Sequence, residues 1–365
     1  MNRIRLNIGQ QTSSSYEIYI GNNILDRMGL MIQKNNAADR YVIISDSTVS
    51  ALYGETFLAM LRDMNLNCDL LAFPAGETSK DIEQVLSIVR QLIELGVDRN
   101  SALIALGGGV TGDIVGFIAS IYMRSIPFIQ VPTTLLAQVD SSIGGKTGID
   151  LPAGKNLLGT LFQPKMVLTD LHFLDTLPES EFNNGLAEIV KYGIIDDPEI
   201  FQLLEDGVED IKKRNIELLS TIVGRSCRIK KEIVEMDAHD RGLRRILNFG
   251  HTIGHAVESA SEYTLSHGSG VSIGMICAAR ISEKLNYLDT PTRERIETLI
   301  SSLGLADRIP ESVDPSVILS RIKMDKKKKG DLINFVLLKK IGIPFINSSV
   351  EDDLIREIIE ERRPC

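Results

Sequence analysis

The chain has five histidines, and three of them fall in one short segment, Leu247-Asn-Phe-Gly-His251-Thr-Ile-Gly-His255, continued by Leu265-Ser-His267-Gly. His251 and His255 are four residues apart among apolar neighbours. On a helix that spacing puts both imidazoles on one face, about 6 Å apart along the axis. Such a pair can reach one divalent ion; it can equally be two hydrogen-bonded histidines of a core. His267, just past a break in the helical pattern, strengthens the metal reading, and a carboxylate from elsewhere should complete the set. Gly185-Leu-Ala-Glu188-Ile-Val-Lys191-Tyr192 offers one. Glu188 stands among Leu186, Ala187, Ile189 and Val190, where a bare charge is expensive to bury. A metal, Lys191 three residues on, or an arginine can be its partner.

A second set of polar residues suits anions. Gly107-Gly108-Gly109-Val110-Thr111-Gly112-Asp113 follows an apolar run and opens a helix. Glycines there let the backbone approach a ligand with its amides free, as pyrophosphate binding requires. The run is not Gly-x-Gly-x-x-Gly, and a tight strand-to-helix turn is the alternative. Asp46 ends another apolar run, where it suits ribose hydroxyls or a helix N-cap. Pro74-Ala75-Gly76-Glu77-Thr78-Ser79-Lys80 reads by itself as a turn with a solvated Glu77–Lys80 pair. Thr133 and Thr134 end a further run. Gln138-Val-Asp140-Ser-Ser-Ile-Gly-Gly-Lys146 and Gly154-Lys155-Asn156 place two lysines on glycine-rich loops, a pattern of anion handling. Arg244 and Arg245 precede Asn248 by one helical turn, so Arg244 falls on the side of Asn248 and His251. The basic run Asp325-Lys326-Lys327-Lys328-Lys329 is by default a solvated loop.

These residues need elements to hold them. Arg3–Ile8 and Tyr16–Ile20 alternate like paired strands. Tyr41–Ser45, Leu70–Phe73, Ala102–Leu106, Phe128–Val131 and Met166–Thr169 are short apolar runs of the buried-strand kind, separated by helical patterns such as Asp81–Leu95. The alternation predicts an α/β, Rossmann-like, mainly parallel sheet with helices on both faces and ligands beyond the carboxyl ends of its strands. After Leu177 the pattern is helical nearly throughout, with only Asn334–Leu338 resembling a strand. Two domains are therefore expected, residues 1–177 and 178–365, with the active site in the cleft between them. The formal net charge of −9 and the absence of Trp argue against nucleic-acid binding. No apolar run is long enough for a membrane span. Cys68, Cys227, Cys277 and Cys365 show no Cys-x-x-Cys spacing, which fits reduced thiols in a cytoplasmic protein.

Assembled, the motifs resemble 3-dehydroquinate synthase over nearly the whole chain. The matching strings are Pro74–Lys80, Leu106–Asp113, Val131–Lys146, Gly154–Gly159, Gly185–Tyr192, Leu247–His255 and Asp325–Lys327. The resemblance implies an enzyme that uses NAD and a divalent metal (zinc or cobalt) to convert 3-deoxy-D-arabino-heptulosonate 7-phosphate into 3-dehydroquinate and phosphate. Transient oxidation, phosphate elimination, re-reduction, ring opening and aldol closure would follow in that order, a step in aromatic amino acid biosynthesis. It implies Glu188, His251 and His267 as metal ligands, with His255 on the substrate side instead. NAD contacts would come from Asp46, Ala75, Gly76, Glu77, Thr78, Ser79, Lys80, Gly109, Val110, Thr111, Gly112, Asp113, Thr133, Thr134, Asp140, Lys146, Lys155, Phe173, Leu174, Asp175 and Thr176. The catalytic and substrate set would be Asp140, Lys146, Asn156, Lys191, Arg244, Asn248, His255 and Lys326. Arg124 would be lent across a dimer interface to the phosphate, so a homodimer is the expected assembly.

The chain departs from the family pattern in three places. Ser125 stands where glycine is usual, Asp237-Ala-His-Asp240 replaces a more acidic run, and Ser269-Gly270 replaces Glu-Ala. The rivals are other cyclases of the superfamily (inosose or valiolone type), a metal-dependent polyol dehydrogenase, and an inactive NAD-binding scaffold. The first would differ at Asn248, His255 and Lys326, the second would release NADH, and the third would not need Lys146, Lys191, Arg244 or the metal set.

Overall fold

The computed structural model describes residues 1–6, 15–35, 37–237, 242–262, 264–328 and 333–363. The chain divides into two compact units. The first is Met1–Leu177 together with the end of a long helix from Lys230 onward; the second is Pro178–Ile229 and the remainder.

In the first unit, seven strands form one sheet: β1 (Asn2–Leu6), β2 (Tyr16–Gly21), β3 (Arg40–Asp46), β4 (Cys68–Phe73), β5 (Ser101–Gly107), β6 (Phe128–Pro132) and β9 (Met166–Asp170). Their order is β1-β2-β9-β6-β5-β3-β4, with β1 antiparallel to β2 and every other pairing parallel. Strand β5 is buried at every position, as a central parallel strand covered on both faces must be. Its residues alternate between two cores. Leu103 and Ala105 pack with Val42, Ile44 and the helices Ile82–Glu94 and Gly109–Ile121. Ala102, Ile104 and Leu106 pack with Tyr41, Ile43 and the helices Leu25–Asn35 and Glu55–Asp63.

The chain runs outward from β3 to β4 and returns to the far side of β3 as β5, so the strand order reverses between β3 and β5. Ser45 is paired with Leu106 there, which brings Asp46 and the triple glycine to neighbouring strand ends. A reversal of this kind opens a crevice at the carboxyl ends of the strands. A separate hairpin, β7 (Lys146–Leu151) with β8 (Gly154–Leu161), lies against the helix Gly109–Ile121, with the Thr160 hydroxyl donating to Ser120 Oγ at 2.9 Å.

The second unit is mostly helical. Helices His251–Ala260 and His267–Lys284 share a core with Pro315–Lys328 and Asp352–Glu361 through Ile253, Val257, Ile273, Ile281, Ile318, Ile322, Ile355 and Ile359. The strand expected at Asn334–Leu338 is β10, Phe335–Lys340. It pairs with β11, Ile343–Asn347, which the sequence did not reveal. Strand β11 is half-exposed and contains Pro344, so it shows neither clean alternation nor an apolar run.

Candidate functional site

The helix Glu179–Ile195 starts after Pro178 with Glu179 and Glu181 in its first turn, where they complement the helix dipole. From Gly185 to Ile195 it is buried all round, so Glu188 and Lys191 point into protein: their side chains are 0% and 2% exposed. Glu188 Oε2 forms a short ion pair with Lys191 Nζ that lacks hydrogen-bond alignment. Its other oxygen, Oε1, lies 3.4 Å from His251 Nε2 and 3.2 Å from His267 Nε2.

Two glycines bring those histidines together. Gly250, at φ +80°, turns the chain into the first histidine helix, and a Cβ on Gly274 of the second would stand 1.9 Å from the Gly250 carbonyl oxygen. Only a bare backbone allows the two helices to pack this closely. His251 Nδ1 lies 3.1 Å from the Phe249 carbonyl oxygen. A carbonyl only accepts, so Nδ1 carries a proton and Nε2 is the nitrogen turned toward Glu188.

Burial opposes the charge on Glu188, but Lys191, His251 and His267 together hold its carboxyl well below the usual carboxylate range. Burial, with Lys191 adding to it, lowers the pKa of His251. Burial also works against a charged His267, yet its bonds to Glu188 and to Glu258 (Nδ1 to Oε1, 3.2 Å) carry its pKa up to about 10.

Three ligand atoms bound tetrahedrally to one zinc at its usual bond lengths would lie about 3.3–3.6 Å apart. The spacings from Glu188 Oε1 to the two imidazole nitrogens match that, so the residues fit a divalent ion with positions left open for other oxygens. His255 is exposed, its ring 5.1 Å from that of His251 and 5.8 Å from that of His267. It belongs instead to a second group within ligand reach, with Glu258 and His267.

The first unit carries its own polar cluster. Lys80 is buried, and its ammonium donates to Asn156 Oδ1 at 2.6 Å and pairs with Asp113 Oδ2 at 2.7 Å. Burial pushes the Asp113 carboxyl up to about 6 against the pull of Lys80. Burial opposes the Lys80 charge too, but Asp113 outweighs it and the lysine pKa rises. Asp150 anchors the opposite side by accepting from the Asn156 amide at 2.7 Å.

At the reversal of strand order, Gly108 and Gly109 line a cradle. A Cβ on Gly108 would meet Thr134 Cγ2 at 2.9 Å and one on Gly109 would meet Ser141 Oγ at 3.1 Å. The Thr133 hydroxyl beside this turn is buried without a hydrogen-bond partner. A backbone cradle with an unsatisfied hydroxyl next to it fits a bound polyphosphate group.

Several sequence expectations change here. Lys146, Lys155 and Asn156 lie on the β7–β8 hairpin and not on loops, because the glycines of this stretch are spent on close strand pairing; a Cβ on Gly159 would stand 2.3 Å from the Thr147 carbonyl oxygen. Glu77 and Lys80 do not pair with each other. Glu77 meets Lys155 at 3.4 Å while Lys80, whose backbone leaves the 3-10 turn Glu77–Ser79 at its C-cap, turns inward to Asp113. Asp46 does cap a helix, accepting from the amides of Thr48 and Val49, and its second oxygen takes the Thr111 hydroxyl at 3.3 Å.

Ala75, Gly76 and Thr78 are exposed, and Ser79 is buried. Phe173, Leu174, Asp175 and Thr176 lie in a 3-10 helix, Leu171–Thr176, reached by Tyr53 through a 2.6 Å hydroxyl contact to Thr176. Val110 and Gly112 lie in the first turn of the helix that opens at Gly109. Leu243–Asn248 is also 3-10 and not α. With three residues per turn Asn248 falls in line with Arg245. The side chains of Arg244 and Lys326, and residues 238–240, lie outside the described residues. Asp140 pairs closely with Lys230, a partner that sequence reasoning missed because one lysine on a long polar helix looks like any solvated charge.

Two family models match the chain: 3-dehydroquinate synthase N-terminal over residues 70–184 and 3-dehydroquinate synthase C-terminal over residues 185–328. The 3-dehydroquinate synthase of Thermodesulfovibrio yellowstonii is 42% identical over 362 residues, 99% of this chain and 100% of its own length. The chain belongs to the 3-dehydroquinate synthase family.

Among solved structures, this family member is similar to 2-deoxy-scyllo-inosose synthase complexed with carbaglucose-6-phosphate, NAD⁺ and Co²⁺ (28% identity, TM-score 0.90, 99% of this chain and 100% of that one). It is also similar to 2-epi-5-epi-valiolone synthase from Streptomyces hygroscopicus with NAD⁺ and Zn²⁺ bound (29% identity, TM-score 0.88, 97% and 98%). The α/β sheet followed by a nearly all-helical part is the architecture these comparisons share with the chain.

Proposed function

We propose that the chain works as a 3-dehydroquinate synthase, turning 3-deoxy-D-arabino-heptulosonate 7-phosphate into 3-dehydroquinate and phosphate with catalytic NAD and one zinc or cobalt ion. The observation that carries this reading is the convergence of His251 and His267 on Glu188 Oε1 while Lys191 neutralises Oε2. Glu188, His251 and His267 would hold the ion, which when bound supplies Lewis acidity to substrate hydroxyl oxygens. Asp46, the Gly107–Asp113 turn, Thr133 and Thr134 would hold NAD, whose nicotinamide supplies a hydride acceptor that is regenerated within one turnover.

The remaining work falls to the side chains of the chain. Lys191 is held in place by Glu188. Lys80 fixes Asn156, and Lys230 fixes Asp140, so that both polar groups are oriented before substrate arrives. A substrate with a phosphate and a carboxylate requires cations gathered locally on an acidic protein. Lys146, Lys191, Arg124, Arg244 and Lys326 are the proposed set, with Asn248 and His255 on the substrate side.

The chain keeps Asn248, His255 and Lys326, and its identity to synthases (42% in the case above) exceeds that to the inosose and valiolone enzymes. Both facts favour the synthase over its cyclase relatives. The homodimer and a cytoplasmic location belong to the same proposal. Leu157, Leu158 and Leu161 on the hairpin, with Ile121 and Met123 at the end of the helix beside it, are exposed near Arg124. An apolar surface of this kind suits a second copy. Among the described residues no helix is long and apolar enough to cross a membrane.

The test is to incubate the protein with catalytic NAD⁺, zinc or cobalt, and the heptulosonate phosphate, following phosphate and dehydroquinate together. Absence of phosphate release would sink the synthase assignment, and stoichiometric NADH would make the protein a dehydrogenase.

A further inference from the structure

The two histidines of the proposed metal centre are oriented by different kinds of partner. His251 is fixed through Nδ1 by a neutral backbone carbonyl, Phe249 O. His267 is fixed through Nδ1 by Glu258, whose Oε1 lies 3.2 Å away. Glu258 is buried on the inner face of the helix His251–Ala260, and its side chain is 7% exposed. A carboxylate oxygen at Nδ1 accepts the Nδ1 proton, so Nε2, which faces Glu188 Oε1, is the nitrogen that would give up its proton to an ion.

Room for this contact comes from the other helix. Gly270, one turn after His267, has no side chain, and a Cβ there would stand 2.8 Å from Glu258 Cγ and 3.0 Å from Glu258 Oε1. A Cβ there would also stand 3.0 Å from the Gly254 carbonyl oxygen, so the two helices pack closely around the Glu258 side chain.

We propose that Glu258 is a positioning residue for the metal centre, holding His267 through Nδ1 so that Nε2 faces the ion. The inference rests on the metal reading given above. It also assigns the second ligand-like group, His255 with Glu258 and His267, to hydrogen bonding and not to a second ion.

Metal-free protein is titrated with zinc against a competing chelator, and its cobalt(II) form is followed by visible absorption. Glu258→Ala is expected to weaken zinc binding about 10–100-fold, the range for loss of such an outer partner, and to shift the cobalt bands. Glu258→Gln retains an acceptor oxygen and should recover part of that affinity. If Glu258→Ala does not fold, as judged by circular dichroism, the glutamine variant decides the matter.

Zinc affinity within twofold of the unaltered protein, with unchanged cobalt bands, would overturn the role of Glu258 while leaving the metal centre standing. A fall from two bound ions to one in Glu258→Ala would make Glu258 a ligand, which also overturns it. No zinc uptake by the unaltered protein would overturn the metal centre, and this inference with it.

Discussion

Glu188→Gln isolates what the buried charge does. Glutamine keeps nearly the same volume, so the variant removes an anion without opening a cavity. In its place stand the Lys191 ammonium, only 2% exposed, and two imidazoles with no carboxylate to meet. Removing one partner of a buried ion pair leaves an uncompensated charge, which destabilises by about 3–5 kcal/mol. His267 retains Glu258, so the lower end, about 3 kcal/mol, is expected for the metal-free protein.

A unit of this size shifts its melting temperature by about 2–4 °C per kcal/mol, giving a fall of about 6–12 °C. Replacing both charges, as in Glu188→Gln with Lys191→Met, should restore most of that loss, because a buried pair exchanged for well-packed neutral groups is often neutral in stability. The assay is thermal unfolding of chelator-treated protein, with bound zinc counted after dialysis. The single variant should retain no zinc. A single variant melting within 1 °C of the unaltered protein, or a double variant no more stable than the single one, would refute the argument that Glu188 neutralises a buried cation.

His255→Ala should keep zinc while losing turnover, measured by metal analysis and phosphate release; loss of the ion would make His255 a ligand. Ser125 adopts φ +94°, next to Met123 at +49° and Arg124 at +69°, a conformation that disfavours side chains. Ser125→Gly should therefore raise stability by about 1 kcal/mol in denaturant titration, and an unchanged midpoint would remove the strain argument. Asp113 has a folded pKa near 6 against an ordinary 3.8, so the native state binds the extra proton between those values. Stability from this group is greatest below pH 4 and falls as pH rises through 6, by at most about 3 kcal/mol for a shift of about two units. Asp113→Asn should flatten that part of the stability–pH curve; an identical slope in the variant would count against it.

The sequence alone determined most of the local structure and the family. Apolar runs such as Tyr41–Ser45 and Ala102–Leu106 read as buried strands, because they are short, rich in β-branched and aliphatic residues, and alternate with helical patterns. The strings around Glu188, His251 and Lys80 carried the resemblance because their residue types follow from chemistry and not from packing.

What remained open in the sequence was pairing across distance. Glu188 stands 63 and 79 residues before His251 and His267, and no local pattern says which of its oxygens meets a lysine and which meets imidazoles. Lys80 looked like the partner of Glu77 three residues away, yet it pairs with Asp113 and Asn156. Lys230 and Glu258 gave no signal, since a charged residue on a helix looks the same whether it faces water or a buried partner. Only the packing of the helices fixes those contacts. Where Gly250 and Gly274 let two backbones approach, the histidines they carry reach one carboxylate, and helical periodicity does not encode that distance.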